Sequence, residues 1–200
     1  MDLRAINATL SVSPQILAAD MQKIADQGYR AVMCNRPDGE GADQPTFEEI
    51  EAAAKAVGLV ARYVPVVPGK VQDSDADAFS VAMDELPKPV LAYCRTGTRS
   101  ATLWSLSQAK TLSVADILAA TKAAGYDMAG VVRRIVNGGK TPTDRADAFY
   151  DVVIVGAGAA GIAVASSIES RTIGLEIAII DPADVHYYQP GWTMVGGGIF

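Results

Sequence analysis

Val90-Leu91-Ala92-Tyr93-Cys94-Arg95-Thr96-Gly97-Thr98-Arg99-Ser100 is an apolar run that ends in a cysteine and opens into a turn. Pro87 and Pro89 bracket its start, so the spacing predicts a buried strand with Cys94 at its C-terminal tip. From Ser100 the pattern turns helical, with Ala101, Leu103, Trp104 and Leu106 on one spacing. Cys94 to Arg99 then forms a loop wrapped over a helix N-terminus, where backbone N–H groups point inward and Gly97 lets the chain close without a Cβ clash. This is an anion cradle around a nucleophile. Cys94 and Arg99 are its catalytic candidates, and Arg95, Thr96, Gly97, Thr98 and Ser100 its anion-binding positions. A thiol becomes a good nucleophile when ionised, and cations or helix N-termini lower cysteine titration from near ~8.5 to roughly 3.5–7.5. The plain alternative is a buried cysteine at a strand end beside two solvated arginines.

Outward from this stretch, strands and helices alternate. Leu3 to Asn7 and Leu10 to Val12 read as short strands, and Ser13-Pro14 introduces a helix to about Gln27, stopped by Gly28. Ala31 to Cys34 is the next buried strand. It delivers Asn35-Arg36-Pro37-Asp38-Gly39-Glu40 to the C-terminal side of the sheet, where open parallel sheets place their sites, so Arg36 and Asp38 are expected beside Cys94. A charged Pro-Asp-Gly turn is the competing reading. Cys34 reads as a small core residue. Thr46 and Glu49 form a capping box for a helix to Val57, a strand runs from Val60 to Val67, and Pro68 to Asp75 is a loop before the next helix. Helices over 100–110, 113–124 and 127–137 complete a three-layer α/β domain.

A second signature follows a linker. Residues 1–138 form the first domain, 139–148 a Gly, Thr, Pro and Asp-rich linker, and 149–200 the start of a second domain. There Val152 to Val155 feeds Gly156-Ala157-Gly158-Ala159-Ala160-Gly161 into a helix through Ser170, and a strand from Glu176 to Ile180 ends in Asp181. Strand, Gly-x-Gly-x-x-Gly, helix and a carboxylate 20 residues past Gly161 make a dinucleotide fingerprint. Gly156, Gly158 and Gly161 approach the pyrophosphate, and Asp181 meets the ribose.

The cysteine loop resembles that of rhodanese-type sulfurtransferases, in which the cysteine carries a persulfide and the loop amides and arginine hold the anion. Cysteine-dependent phosphatases use a related cradle with five residues between cysteine and arginine, usually preceded by histidine. Here four residues intervene, and Tyr93 stands before Cys94. Residues from about Ile6 to Gly139 resemble the phosphatase-like domain of beta-lactamase-hydrolase-like proteins, whose members carry Asn-x-Arg-Pro-Asp-type and Cys-Arg-x-Gly-x-Arg-Ser motifs. Some members are described as sulfur transferases. The resemblance implies a cysteine-phosphatase-like fold and places a general acid at Asp73, in the loop before the third long helix, or at Asp38. Tyr150 onward, including Asp184 to Gly198, is similar to the opening of sulfide:quinone oxidoreductases, which bind FAD at this fingerprint. Sole among histidines, His186 in that stretch reads as structural.

Composition bounds the alternatives. Half of the 200 residues are hydrophobic and a fifth charged, as in ordinary globular proteins. A net charge of −6 without a basic stripe argues against nucleic-acid binding. Two cysteines suit a reducing cytoplasm. Neither a signal peptide nor a membrane span of ~20 apolar residues is visible. Three readings follow: sulfur transfer from a small anionic donor to a thiol acceptor, phosphate-ester hydrolysis through a phosphocysteine, and a non-catalytic anion or redox sensor. The Rossmann-type βαβ unit is incomplete, so FAD is expected in a longer protein and is not expected to be retained by these 200 residues.

Overall fold

A computed structural model describes residues 2–42, 44–142, 150–172 and 174–182. The chain divides into two compact units, Met1–Thr143 and Asp144–Phe200. In the first, β1 (Arg4–Ala5), β2 (Leu10–Ser13), β3 (Ala31–Cys34), β4 (Val60–Tyr63) and β5 (Val90–Tyr93) form one sheet in the order β1-β2-β5-β3-β4. β1 is antiparallel to β2; the other pairings are parallel. β5 is central, with Tyr93 in register with Ser13 on one side and Cys34 on the other.

Successive side chains on a strand point to opposite faces, and here both faces are covered. Met33, Val90 and Ala92 pack with Phe79, Leu103, Trp104 and Ile135, under α3 (Asp73–Glu85), α4 (Thr98–Gln108), α5 (Val114–Ala123) and α6 (Val132–Val136). Val32, Cys34, Leu91 and Tyr93 pack with Ile24 and Ile50, under α1 (Met21–Asp26) and α2 (Phe47–Ala56). The three-layer α/β domain expected from the sequence is the observed one, with Trp104 and Cys34 in its core. α2 begins with the expected capping box: Thr46 Oγ1 accepts from Glu49 N at 3.3 Å, and Thr46 N donates to Glu49 Oε2 at 2.8 Å.

Several boundaries differ, each because tertiary contacts draw on backbone groups. The segment after Pro14 is not helical until a 3₁₀ turn at Ala18–Asp20, since Gln15 N donates to Arg95 O at 3.4 Å and Ile16 is buried in the core. β4 stops at Tyr63, beyond which Val64 N and Val66 N bond the carbonyls of Cys34 and Asn35. Of the linker expected over 139–148, residues 139–142 are described, and they contact the first unit. Lys140 Nζ pairs with Asp77 at 2.7 Å and Thr141 N donates to Asp73 at 2.8 Å, so this stretch belongs to the first unit. Its composition signals missing periodicity, and contacts form regardless.

In the second unit β6 (Val152–Val155) and β7 (Ile177–Ile180) pair in parallel around α7 (Ala159–Arg171). Gly156 has φ +104°, and a Cβ on Gly161 would lie 1.8 Å from Gly156 O, so the strand-to-helix turn requires both glycines. Among the described residues no helix is long and apolar enough to cross a membrane.

Phe79 is fully buried beneath the sheet and Val81, two residues on, is 54% exposed. Phe79→Ala should destabilise the first unit by about 3–5 kcal/mol, whereas Val81→Ala should stay within about 0.5 kcal/mol, both read from urea denaturation midpoints.

Candidate active site

β5 is hydrogen-bonded on both edges, so the chain leaves the sheet only at its C-terminal end. Cys94 sits there, 1% exposed, with its amide donating to Ser13 O. The chain then turns through Gly97, whose φ of +89° no other residue adopts cheaply, into the N-terminus of α4. Gly97 N donates to Cys94 Sγ at 3.1 Å, folding the loop over its own sulfur. An N–H directed at the sulfur from a helix N-terminus is the donor arrangement of an anion-binding loop. The loop is braced from within and behind. Thr96 Oγ1 and Thr98 Oγ1 are 3.1 Å apart, and Tyr126 Oη donates to Thr96 O at 3.4 Å. A Cβ on Gly97 would lie 2.0 Å from Tyr126 Oη, so Tyr126 is a second reason for glycine here.

Arg95, Thr96, Thr98 and Arg99 line a cleft of about 540 Å³ together with Glu40, Thr102, Val131 and Arg134. Cys94 lies at the base of this loop rather than on the cleft surface, so a small group must enter the loop to meet its sulfur. Arg99 is rigidly held: Nη1 donates to Val66 O at 2.7 Å and Nη2 to Glu40 Oε1 at 2.8 Å. The same Glu40 oxygen lies 3.4 Å from Arg36 Nε, and Arg36 Nη1 donates to Gln15 Oε1 at 2.9 Å. Hydrogen bonding and charge from Arg99, with Arg36 behind it, hold the Glu40 carboxyl below its ordinary range. Glu40 therefore orients cations and is a poor proton donor.

The remaining expected residues are distributed unevenly. Arg36 does come to the site, but behind Glu40. Ser100 is fully buried and its hydroxyl donates to Asn35 Oδ1 at 2.8 Å, so it joins the loop to the end of β3 instead of reaching an anion. Asp38 accepts from Phe47 N at 2.9 Å, which makes it a cap for α2. Asp73 accepts from Thr141 N and Thr141 Oγ1 and pairs with Arg134 at 2.8 Å; these contacts hold its carboxyl below the ordinary range. Neither aspartate lines the cleft, so neither is placed as the general acid expected of it. Cys34 donates to Arg36 O at 3.3 Å and receives a bond from Tyr93; burial raises its titration, keeping it a thiol. Burial likewise holds the Tyr93 hydroxyl protonated.

Sequence reasoning missed Glu40, Asn35, Gln15, Tyr126 and Arg134. Glu40 and Asn35 stood in the loop already singled out after β3. Their partners lie 59 and 65 residues away, distances at which no spacing rule operates.

The family described as beta-lactamase hydrolase-like protein, phosphatase-like domain, matches residues 2–111. The chain belongs to this family. A beta-lactamase hydrolase-like protein of Agrobacterium fabrum is 33% identical over 130 residues, covering 64% of this chain and 30% of the relative; one from Xylella fastidiosa is 35% identical over 108 residues, covering 54% and 25%. The chain thus spans less than a third of these relatives' length. A candidate phosphatase of Neisseria meningitidis has a solved structure with TM-score 0.63 and 34% identity, covering 69% of this chain and 99% of that one. The phosphatase-like domain also shares its fold with PTPMT1, solved in complex with PI(5)P, at TM-score 0.56 and 16% identity over 70% and 95% of the two chains. A separate similarity is to the mitochondrial sulfide:quinone oxidoreductase of Dictyostelium discoideum, 54% identical over 50 residues, 24% of this chain and 11% of that protein.

In the fingerprint of the second unit, Asp181 accepts a hydrogen bond from Ala157 N, within the glycine loop. The stretch containing Asp184 and His186 lies outside the described residues.

Two outcomes test this phosphatase-like site. Iodoacetate, a small anionic alkylator, should modify Cys94 and spare Cys34, with phosphate protecting Cys94; peptide mass mapping reads both sites. Glu40→Gln should lower stability by about 2–4 kcal/mol at pH 7, because it leaves two mostly buried guanidiniums without their counter-charge. Since Glu40 titrates lower in the folded protein, its contribution is full above the unfolded value of about 4.3 and is lost as pH falls through the folded one. The gap between wild type and variant in urea midpoints should narrow only below about pH 4.

Proposed function

We propose that the first unit is a thiol-dependent transferase that carries sulfane sulfur as a persulfide on Cys94. The observation that supports this most is the absence of an available acid: among the described residues lining the cleft the only carboxyl is Glu40, and Arg99 keeps it ionised. Expelling an alkoxide from a phosphate ester is assisted by a proton donor. Sulfur transfer needs none. Cys94 thiolate attacks the outer sulfur of thiosulfate, the S–S bond breaks, and sulfite leaves with the electron pair. An acceptor thiolate then attacks the outer sulfur of the persulfide and regenerates the Cys94 thiolate. Arg99 and the loop amides hold the anion throughout. Four residues between Cys94 and Arg99 make a loop smaller than the five-residue phosphatase spacing, in keeping with this reading.

The likeness to a candidate phosphatase of Neisseria supports a second reading, hydrolysis of phosphate esters through a phosphocysteine. Without an acid this would favour aryl phosphates, whose leaving groups depart unprotonated. For the second unit, the glycine turn and the likeness to sulfide:quinone oxidoreductase support an FAD site held by Gly156, Gly158 and Gly161, with Asp181 beside the loop. Bound FAD would supply two-electron oxidation of sulfide, a source of sulfane sulfur for Cys94.

Incubating the 200-residue protein with thiosulfate and cyanide should yield thiocyanate, in preference to turnover of an aryl phosphate, and Cys94→Ser should abolish it. Inserting one residue between Gly97 and Arg99 should reverse that preference. Aryl phosphate turnover without thiocyanate would assign the phosphatase reading; neither activity from folded protein would leave Cys94 as a sensor.

A further inference from the structure

The cleft above Cys94 carries more cationic groups than one small anion needs. Arg99 belongs to the loop and is matched by Glu40. Two more guanidiniums line the same cleft, Arg95 and Arg134. Arg95 is exposed and makes no ion pair among the described residues. Arg134, on α6, donates Nη1 to Val71 O at 2.7 Å and Nη2 to Asp73 Oδ1 at 2.8 Å. Its side chain is 15% exposed, and its Nε–H is buried with no hydrogen-bond partner. A guanidinium offers five N–H donors in a planar fork, and these contacts engage one on each terminal nitrogen.

A strut joining α6 to α3 accounts for the two bonds that Arg134 makes. It does not account for an unsatisfied buried donor, which is costly, nor for the position of this residue in the wall of the cleft. The nearby carboxylates are already matched, Glu40 with Arg36 and Arg99, and Asp73 with Arg134. The cleft walls therefore present three arginines and one glutamate in a protein of net charge −6. The hydroxyls of Thr96, Thr98 and Thr102 add neutral polar groups to the same walls.

We propose that Arg134 and Arg95 form a second anion subsite, so that the substrate is a small molecule with two anionic groups. One group sits in the Cys94–Arg99 loop, and the other, a phosphate or carboxylate, is held on the α6 side of the cleft. This rests on reading that loop as an anion cradle and is indifferent to whether sulfur or phosphorus is transferred.

Calorimetric titration of the full chain carrying Cys94→Ser, with inorganic phosphate and with alkane bisphosphonates of increasing methylene number, tests it. At least one bisphosphonate should bind about tenfold or more tighter than phosphate, the equivalent of one charge-assisted hydrogen bond. Arg134→Gln should collapse that preference to about threefold or less, and Arg134→Lys should restore part of it. Arg95→Gln, at an exposed position without packing duties, should lower the preference in a protein that melts like the parent. If every bisphosphonate binds within about threefold of phosphate, or if both glutamine variants keep the preference intact, the second subsite is refuted. Phosphate binding without the preference overturns only this inference. Failure of both phosphate and bisphosphonates to bind overturns the cradle, and the inference with it.

Discussion

A parallel strand hydrogen-bonded on both edges and covered on both faces has only its ends free. β5 is such a strand, and the rest of the first unit is arranged by it. Its pairing with β2 and β3 brings three C-terminal strand ends together, those of Ser13, Cys34 and Tyr93. Loops leaving adjacent parallel strands must share the same edge of the sheet. Gln15 and Arg36 consequently meet beside a loop that begins at Cys94, and Asn35 receives the hydroxyl of Ser100. Nucleophile, loop arginines and loop amides thus come from one short segment, and the groups that brace it, Gln15, Asn35 and Arg36, from others far away in the chain.

Holding several arginines beside a thiol is an electrostatic problem that the fold solves with one carboxylate. Arg36 and Arg99 have side chains only 9% and 11% exposed, and unpaired cations at such depth are unfavourable. Glu40 lies between them and accepts from Arg99 directly. The same arrangement removes Glu40 from proton transfer, because a carboxylate stabilised by two guanidiniums resists protonation. Stability and chemistry are coupled at this point. The cleft is rich in cations, and among its described lining residues Glu40 is the one carboxyl.

The second unit illustrates a different balance. Its glycine turn is specified locally, since positive φ at Gly156 and close helix approach at Gly161 are properties of a few neighbouring residues. Its strands retain exposed apolar side chains, among them Val155 and Ile180. Among the described residues this unit has two strands and one helix, which bury little area between them.

What the sequence by itself determined is whatever depends on near neighbours. The apolar run closing in Cys94, the left-handed turn at Gly97, the Thr46–Glu49 cap and the strand-glycine-helix fingerprint are all written within a dozen residues, where periodicity and backbone sterics act. That Arg36 leaves the sheet on the same side as Cys94 was also legible, because parallel strands send their loops to one side. Only the tertiary structure decided which carboxylates were available. Asp73 and Asp38 look alike in the chain, yet one is held by Arg134 and Thr141 and the other caps α2. Glu40, read as part of a charged turn, is the group that fixes Arg99 across 59 residues. A charged side chain's role is set by the partner it finds after folding. That partner is chosen by the packing of whole helices against the sheet, which no local pattern records.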